Sequence, residues 1–248
     1  MSEAGDGRVV VVTGAAGGIG TATARRFAAE GARLVLADRD AARLEVLWAA
    51  VPAEAITLYP ADLTEPEAAR ALADRALSEF GRADVLVNAV GIMRVTPLEE
   101  IRPAEWDELL RVNLTAVFLC CQAFLPVMKA QRYGRIISMA SLAGQVGGVF
   151  AGAHYAAAKA GVISLTRSIA KRYAEFGITA NALAPGAVET ELLNAFTPEQ
   201  LAALRQQTPV GRFTHPDEIA GIIRFLASPA AAMITGQTVN VNGGMHLG

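Results

Sequence analysis

Short apolar runs alternate with longer stretches of helical period along the chain, and this alternation predicts βαβ units that build a parallel sheet. Strand composition is found in seven runs, at residues 8–13, 33–37, 56–59, 84–88, 135–139, 178–183 and 238–241. Residues 9–12 are four consecutive valines, which is typical of a strand that helices cover on both faces. The pattern therefore predicts an α/β fold with a doubly wound, seven-stranded parallel sheet.

Segments with helical period lie between the predicted strands, at residues 18–30, 41–50, 65–80, 103–130, 154–176 and 216–226. Two of them begin with a proline, Pro103 and Pro216, at a position where a missing backbone N–H does no harm. Because no repeat or Gly/Ser linker divides the chain, residues 1–248 are predicted to form one domain. Residues 186–214 lack a clear period and follow a strand, so we expect a substrate loop there.

The composition is that of a globular protein, with 52% hydrophobic and 19% charged residues among 248. The formal net charge is −2, so the chain has no net basic field with which to hold nucleic acid. Cys120 and Cys121 are adjacent in an apolar stretch, a placement that suits neither a disulfide framework nor a metal site. We expect reduced core cysteines and no bound metal.

The N-terminal residues and the longest apolar window argue against export and membrane insertion. Residues 1–8 are polar and contain Glu3 and Asp6, whereas a secretory signal needs a basic start and an apolar stretch. Residues 116–128 are interrupted by Gln122 and Pro126 and fall short of the ~20 residues that a membrane span requires. These features favour a cytoplasmic protein.

A glycine-rich segment, Thr-Gly-Ala-Ala-Gly-Gly-Ile-Gly at residues 13–20, joins the first predicted strand to the first helix. Glycines there allow a tight turn and a close approach to a pyrophosphate, whose charge the helix N-terminus favours. A tight turn without a ligand is the alternative. Asp38 favours the ligand, because it ends the second strand 18 residues after Gly20, close to the ~20 expected for a carboxylate that binds a ribose.

Asp38 also indicates which dinucleotide binds. A carboxylate that accepts from both ribose hydroxyls repels the 2′-phosphate of NADP, so NAD is favoured. Arg39 argues the other way, since a guanidinium beside this site pairs well with a phosphate. A further alternative is that Asp38 is only the N-cap of the helix that follows.

Tyr155 and Lys159 are four residues apart in a predicted helix, which places the phenol and the ammonium on one face, one turn apart. A phenol with a pKa of about 10 is a poor base at neutral pH, and a neighbouring cation lowers that pKa. Such a phenol can exchange a proton with an alcohol or ketone oxygen. Taken alone, the spacing also fits an ordinary surface pair.

Both motifs occur in the order and spacing of the short-chain dehydrogenase/reductases, and the chain resembles that family from about residue 8 to residue 244. The residues that carry the resemblance are Thr13, Gly14, Gly18, Gly20, Asp62, Asn88, Asn113, Ser141, Tyr155, Lys159, Pro185, Gly186 and Thr190. The resemblance implies a Rossmann-type sheet and hydride transfer between a nicotinamide dinucleotide and a secondary alcohol or ketone.

The resemblance also implies a role for each catalytic residue. Tyr155 is expected to be the acid/base, and Lys159 to lower its pKa while binding the nicotinamide ribose. Ser141 is expected to hold the substrate oxygen, and Asn113 to anchor a water molecule in a proton relay.

The expected cofactor contacts extend along the whole site. Asp62 is expected at the adenine, and Thr190 with the backbone near Val188 at the carboxamide. The complete predicted set is Gly14, Gly17, Gly18, Ile19, Gly20, Asp38, Arg39, Asp62, Leu63, Asn88, Gly91, Tyr155, Lys159, Pro185, Gly186, Val188 and Thr190. The family's usual Asn-Asn-Ala-Gly is replaced by Asn-Ala-Val-Gly at residues 88–91.

The substrate pocket is predicted from Ser141, Gln145, His154 and Tyr155. Its expected walls are Met93, Val146, Val188 and residues 189–208. His154 is either a hydrogen-bonding group of the pocket or merely the first residue of its helix. Apolar walls with few polar groups favour a small secondary alcohol or ketone as the substrate.

Within the family, the chain also resembles the NADPH-dependent reductases of 3-oxoacyl groups on acyl carrier protein. Lys129, Arg132 and Arg135 match one basic cluster of those reductases, but Glu175 and Phe176 stand where they tend to carry arginine. A carboxylate there opposes an acidic carrier, and a free small substrate is favoured.

Two other function classes are compatible with parts of the sequence, and the helices suggest a homotetramer. A non-catalytic dinucleotide-binding sensor and a sugar-nucleotide epimerase or dehydratase share parts of the pattern. Residues 103–130 and 154–176 are apolar on more than one face, and the family commonly covers such helices in a homotetramer. Long Arg and Lys stems that shield one face are the alternative.

Overall fold

The computed structural model describes residues 7–52, 54–148 and 150–248. Its centre is a seven-stranded parallel sheet in the order β3-β2-β1-β4-β5-β6-β7. The strands are β1 (Val9–Thr13), β2 (Arg33–Asp38), β3 (Ile56–Pro60), β4 (Val85–Asn88), β5 (Gly134–Met139), β6 (Ile178–Pro185) and β7 (Thr238–Val241). The predicted fold class is therefore confirmed.

Helices cover both faces of the sheet, as the apolar strands predict. They are α1 (Gly18–Ala29), α2 (Ala41–Trp48), α3 (Pro66–Phe80), α4 (Pro103–Leu110), α5 (Ala116–Gln131), α6 (Ala143–Val146), α7 (Ala153–Tyr173), α8 (Pro198–Gln207) and α9 (Pro216–Leu226). One core layer packs α3, α5 and α7 on the sheet, and the other packs α1, α2 and α9 on its opposite face. Cys120 and Cys121 are buried and unpaired in the first layer, as predicted.

The strand order reverses at β1, which pairs with β2 on one side and with β4 on the other. Thr13 is in register with Ala37 of β2 and with Asn88 of β4. In open α/β sheets, ligands bind outside the carboxyl ends of the strands at such a reversal. The candidate residues after β1, β2, β3, β4 and β5 all lie at this edge.

The helix predicted at residues 103–130 is divided in the structure. A π-helical turn, Arg111–Thr115, separates α4 from α5, and it contains Asn113. The Asn113 Nδ2 group donates to the carbonyl of Leu109, one turn earlier, at 3.0 Å. Residues Pro103–Gln131 together are long and apolar enough to pass for a membrane span, but 44% of their most apolar window is buried inside the protein.

The predicted substrate loop contains more regular structure than expected. A 3-10 turn, Glu191–Ala195, is followed by α8. The N-terminus of α8 is a capping box, in which Thr197 Oγ1 accepts from the backbone of Gln200 and the Gln200 side chain accepts from the backbone of Thr197. Thr-Pro-Glu-Gln at residues 197–200 is a helix start that the sequence shows and that the prediction missed.

Helix α7 ends earlier than predicted, at Tyr173, and a separate 3-10 turn follows it, Ala174–Phe176. The short helix α6 lies in a segment for which the sequence predicted no helix. The expectation about Glu3 and Asp6 falls on residues 1–6, which lie outside the described residues.

Candidate active site

Two cavities meet at the carboxyl edge of the sheet. The first, here called the loop cavity, has a volume of about 380 Å³ and is lined by the glycine-rich loop and the ends of β2, β3 and β4. The second, the tyrosine cavity, has a volume of about 280 Å³ and contains Tyr155. Ile19, Ala89, Val90, Gly91, Thr190 and Leu192 line both cavities. The two therefore form one continuous cleft that is long enough for an extended ligand.

Two positions of the glycine-rich loop are packed so tightly against backbone that they exclude a side chain. Gly14 has a φ of +68°, and a Cβ there would lie 2.7 Å from the backbone nitrogen of Val90. A Cβ on Gly20 would collide with the carbonyl oxygen of Gly14. Helix α1 has no acidic residue in its first turn and no side-chain cap at Gly17, so its N-terminal N–H groups are available to an anion.

Asp38 lies at the end of β2 on the wall of the loop cavity. Its Oδ2 atom accepts from the backbone N–H of Ala16 at 3.0 Å, and its Oδ1 atom accepts from that of Asp40 at 3.1 Å. The N-cap of α2 is Asp40, whose carboxylate accepts from the N–H of Arg43 at 3.0 Å. The alternative in which Asp38 caps the helix is therefore wrong.

The far end of the loop cavity is formed by Asp62, Leu63 and Val112, the last of these from the π-helical turn. A hydrogen bond from the backbone N–H of Thr64, at 2.9 Å, lowers the pKa of Asp62. The carboxylate is thus ionised and held toward the cavity wall.

An ion pair between Arg43 of α2 and Glu191 of the substrate loop connects two walls of the loop cavity. The hydrogen bond between them raises the pKa of Arg43 and lowers that of Glu191. Arg43 was not predicted, and Glu191 was predicted only as part of the wall formed by residues 189–208. The ion pair joins residues 148 positions apart in sequence, so no local pattern indicates it.

The catalytic candidates Ser141, Tyr155 and Lys159 line the tyrosine cavity together. Ser141 Oγ accepts from the backbone N–H of Ala143 at 3.1 Å, and the Ser141 side chain is close enough to the Tyr155 phenol to lower the pKa of that phenol. The Nζ atom of Lys159 lies 5.8 Å from the centre of the Tyr155 ring and donates to the carbonyl oxygen of Met139 at 2.8 Å. Residues from β5, the loop after it and α7 thus converge on one point.

Burial is the largest influence on the pKa values of Tyr155 and Lys159. It raises the pKa of Tyr155, against the opposite effect of the Ser141 side chain. It lowers the pKa of Lys159 to about 8. The net shift in the pKa of Tyr155 is opposite to the predicted one, because burial of the phenol outweighs the effect of Ser141. The Lys159 ammonium donates to a backbone carbonyl.

Asn113 lies at the edge of the tyrosine cavity and holds the segment after β4. Its Oδ1 atom accepts from the N–H of Ile92 at 3.2 Å, and its Nδ2 group donates to the carbonyl of Ile92 at 2.9 Å. A Cβ on Gly91 would lie 2.9 Å from the same Oδ1 atom and 3.4 Å from Lys159 Nζ. Gly91 therefore allows the backbone to pass close to both side chains.

The structure places Asn88 away from the predicted cofactor contacts. The side chain is completely buried and lines neither cavity along the described residues. Its Nδ2 group donates to Ser138 Oγ at 3.1 Å, which ties β4 to β5. Ser138 faces this interior contact, whereas Ser141 faces the tyrosine cavity.

Gln145 and His154 also depart from their predicted places, since neither belongs to the described lining of the tyrosine cavity. Gln145 has a buried Oε1 atom without a hydrogen-bond partner among the described residues. His154 is completely buried as the second residue of α7 and is hydrogen-bonded to Glu105 of α4. The prediction that they contact substrate is not supported by these positions.

The remaining walls of the tyrosine cavity are mainly apolar. Met93, Val146 and Val188 lie on it, as predicted. The substrate loop contributes Leu192, Leu193, Phe196, Leu204 and Gln207. Phe150 and Met245 were not predicted, since they reach the cavity only through the folding of a surface loop and of the C-terminal segment.

Comparisons with known proteins agree with this geometry. Residues 14–246 match the protein family described as Enoyl-(Acyl carrier protein) reductase. The chain is 40% identical over 244 residues to a 3-oxoacyl-(acyl-carrier-protein) reductase of Vibrio cholerae, covering 98% of each. It is 42% identical over 246 residues to the cis-4-hydroxycyclohexanecarboxylate dehydrogenase of Sinomonas cyclohexanicum, again covering 98% of each.

A further dehydrogenase and a solved structure are also similar to the chain over nearly its whole length. The chain is 39% identical over 242 residues to the D-threitol dehydrogenase of Mycolicibacterium smegmatis, covering 96% of this chain and 93% of the relative. A crystal structure described as a short-chain dehydrogenase/reductase, glucose/ribitol dehydrogenase, from Brucella melitensis is similar with a TM-score of 0.92 and 35% identity, covering all of both chains. The protein therefore belongs to the short-chain dehydrogenase/reductase family of oxidoreductases, which use a nicotinamide dinucleotide.

Proposed function

We propose that the protein catalyses the reversible, NAD(H)-dependent oxidation of a small, uncharged secondary alcohol to a ketone. The observation that carries this proposal is the convergence of Ser141, Tyr155 and Lys159 in a cavity that is continuous with the glycine-lined one. The nicotinamide, when bound, accepts or returns the hydride. The side chains of the protein handle the proton and the substrate oxygen.

The glycine loop and Asp38 fit a dinucleotide. Cβ atoms at Gly14 and Gly20 would collide with backbone atoms, and these two glycines keep the turn tight where a pyrophosphate would approach the N-terminus of α1. Two backbone N–H groups hold the Asp38 carboxylate on the wall of the loop cavity, where it would meet the adenosine ribose, and Asp62 and Leu63 line the same cavity and would contact the adenine. Gly186, Val188 and Thr190 line the cavity where the nicotinamide would lie.

NAD is the dinucleotide that we propose. A carboxylate at Asp38 repels a 2′-phosphate. Of the nearby cations, Arg43 is already paired with Glu191. Arg39 alone would have to compensate for Asp38, so the local charge favours a ribose with a free 2′-hydroxyl.

Each catalytic side chain has a proposed task in the oxidation. Ser141 donates a hydrogen bond to the substrate oxygen and orients the carbon that loses hydride. Tyr155 takes the hydroxyl proton as the carbon–oxygen double bond forms, and returns it in the reverse direction. The Lys159 ammonium stabilises negative charge on the phenol and binds the nicotinamide ribose, and Asn113 anchors a water molecule in a proton relay.

The walls of the tyrosine cavity support an uncharged substrate. Tyr155 and Lys159 are the only ionisable residues among its described lining residues, and both are already used by the chemistry. A carboxylate or phosphate on the substrate would therefore lack a partner in the described lining. The apolar side chains suit a hydrocarbon portion beside the reacting carbon.

Reduction of 3-oxoacyl groups on acyl carrier protein is the second candidate, and the likeness to the Vibrio cholerae reductase favours it. The basic cluster expected to dock the carrier argues against it. Arg135 is only 5% exposed and donates to the carbonyls of Gly134 and Gly177. The cluster lies at the end of α5 and the start of β5, whereas Ser141 follows the other end of that strand.

A homotetramer and a cytoplasmic location remain predictions. Trp106 and Phe118 are 38% and 43% exposed on the helices that the family uses for assembly. Light scattering at micromolar concentration that reports four chains would support the homotetramer, and a monomer would contradict it.

The test is a panel of simple ketones, secondary alcohols, polyols and 3-oxoacyl thioesters, each assayed with NADH or NAD and with the 2′-phosphorylated forms. We expect turnover of simple uncharged substrates with the unphosphorylated cofactor. Tyr155→Phe should lower kcat by about 10²- to 10⁴-fold, the range of general acid–base catalysis. Tyr173→Phe, the same change near the end of α7, is the matched control and should retain activity. Equal turnover by Tyr155→Phe and wild type would refute the proposed role.

A further inference from the structure

A partly buried polar chain links α4 to the first turn of α7, next to Tyr155. The carboxylate of Glu105 on α4 accepts from Thr96 Oγ1 at 2.5 Å and is 2.9 Å from His154 Nε2. His154 is completely buried. The hydrogen bonds of Glu105 to Thr96 and His154 lower the pKa of its carboxyl, so the acceptor is an ionised carboxylate.

The second nitrogen of His154 is occupied as well. The Nδ1 atom accepts from the backbone N–H of Tyr155 at 3.0 Å. Because Nδ1 accepts a hydrogen bond, it carries no proton. Because Nε2 faces a carboxylate, it carries the proton and donates it, so the ring is in the neutral Nε2-protonated tautomer. The hydrogen bond to Nδ1 also satisfies one of the N–H groups that the start of a helix leaves without a partner.

Gly152 provides the space for this arrangement. A Cβ at Gly152 would lie 2.7 Å from His154 Nδ1, so a larger residue would displace the ring. The N–H of Gly152 donates to the carbonyl of Arg94 at 2.9 Å. The loop that contributes Met93 to the tyrosine cavity is thereby attached to the same helix start.

We propose that Glu105 and His154 are positioning residues, which hold the first turn of α7 so that the Tyr155 hydroxyl meets the substrate oxygen. This inference rests on the proposed function. The hydrogen bond from Tyr155 N–H to His154 acts on the very residue that exchanges the proton, and Glu105 anchors His154 to a different helix. Because reaction rates fall steeply when a catalytic group is displaced by about 1 Å, loss of this anchor should lower kcat more than binding.

The test compares Glu105→Ala, Glu105→Gln and His154→Gln with the wild type. Glu105→Gln keeps an oxygen acceptor for His154 and should retain at least a third of kcat. Glu105→Ala removes the acceptor and should lower kcat by tenfold or more, with KM and the Kd for NADH within twofold. His154→Gln keeps a donor toward Glu105 but loses the ring nitrogen that accepts from Tyr155, so we expect an intermediate fall in kcat.

Glu108→Ala is the matched control, since Glu108 is one turn along α4 and its carboxylate pairs with Arg94 at the surface. It should change kcat by less than twofold. The inference is overturned if Glu105→Ala stays within threefold of the wild-type kcat, if its loss is confined to KM or NADH affinity, or if Glu105→Gln falls as far as Glu105→Ala.

A measurement without activity separates this inference from the proposed function. Long-range ¹H–¹⁵N spectra of the imidazoles, with His154 assigned from the signal lost in His154→Gln, should show a neutral ring protonated at Nε2. A ring protonated at Nδ1 in the wild type would overturn the inference. Failure of every substrate in the panel would instead reject the proposed function and leave the tautomer result standing.

Discussion

The Nζ atom of Lys159 donates to the main-chain carbonyl of Met139 at 2.8 Å, which joins helix α7 to the last residue of β5. The side chain is 3% exposed, and burial lowers the pKa of its ammonium to about 8. The residue that places a positive charge beside the phenol therefore does so against a desolvation cost.

We expect the free energy of unfolding of the wild type, relative to that of Lys159→Met, to rise between pH 8 and pH 10.5. Because the folded-state pKa is lowered, the unfolded chain in this window binds a proton that the folded chain has lost, so raising the pH favours folding. Below pH 8 both states are protonated and the difference is constant. The full rise is about 3 kcal/mol.

Denaturant unfolding of both proteins from pH 7 to pH 10.5 measures this difference. Residues that titrate in the same range, including Cys120 and Cys121, are present in both proteins, so the comparison isolates Lys159. A difference that is independent of pH would contradict a lowered pKa.

The second prediction concerns the choice of dinucleotide. Asp38→Ala should lower the ratio of kcat/KM for NADH to that for NADPH by tenfold or more, because the repulsion of a 2′-phosphate is removed while Arg39 remains. Asp74→Ala is the matched control and should leave the ratio unchanged, because Asp74 is exposed on α3 and is not among the described residues that line the loop cavity. An unchanged ratio in Asp38→Ala would show that Asp38 does not select the cofactor.

The third prediction concerns the glycine-rich loop. Gly20→Ala should weaken NADH binding by tenfold or more, because the added Cβ would collide with the backbone of Gly14, which cannot move without opening the turn. Titration of NADH fluorescence gives the Kd. Gly221→Ala, in α9, is the control, since its Cβ meets nothing within 4 Å and alanine should stabilise the helix by about 0.5–1 kcal/mol. Wild-type affinity in Gly20→Ala would argue against this packing.

The fourth prediction concerns the two cysteines. Burial raises the pKa of both thiols, so thiolate is scarce at neutral pH and reagents have no access. A colorimetric disulfide reagent should react slowly with the native protein and rapidly with two thiols after unfolding in guanidinium. Rapid labelling of the native protein would show that α5 opens more readily than its packing implies.

Local patterns in the chain were sufficient for the sheet and for most of the cleft. The apolar runs predicted the seven strands because a strand buried on both faces leaves little choice of side chain. The glycine spacing and Asp38 pointed to the same wall, since each follows a strand that must end at one edge of a parallel sheet. Helical period places Tyr155 and Lys159 on one face. That spacing also fits a surface pair, and the resemblance to the family decided between the two interpretations.

Long-range contacts account for what the patterns missed. His154 is next to Tyr155 in sequence, yet its ring turns to Glu105, 49 residues away, and so leaves the substrate cavity. Asn113, in the π-helical turn, is hydrogen-bonded to Ile92, which belongs to another segment. No periodicity within one helix encodes either partner.

The order of apolar and polar residues was thus enough to specify the layers and the strand edge at which the candidate site residues lie, because these depend on local spacing and on burial averaged over a face. The three-dimensional packing decided the protonation of Tyr155 and Lys159, the partners of Asn88 and His154, and the apolar walls from Phe150 and Met245. Those properties depend on desolvation and on hydrogen bonds between residues far apart in the chain, and these exist only once the sheet and helices have assembled.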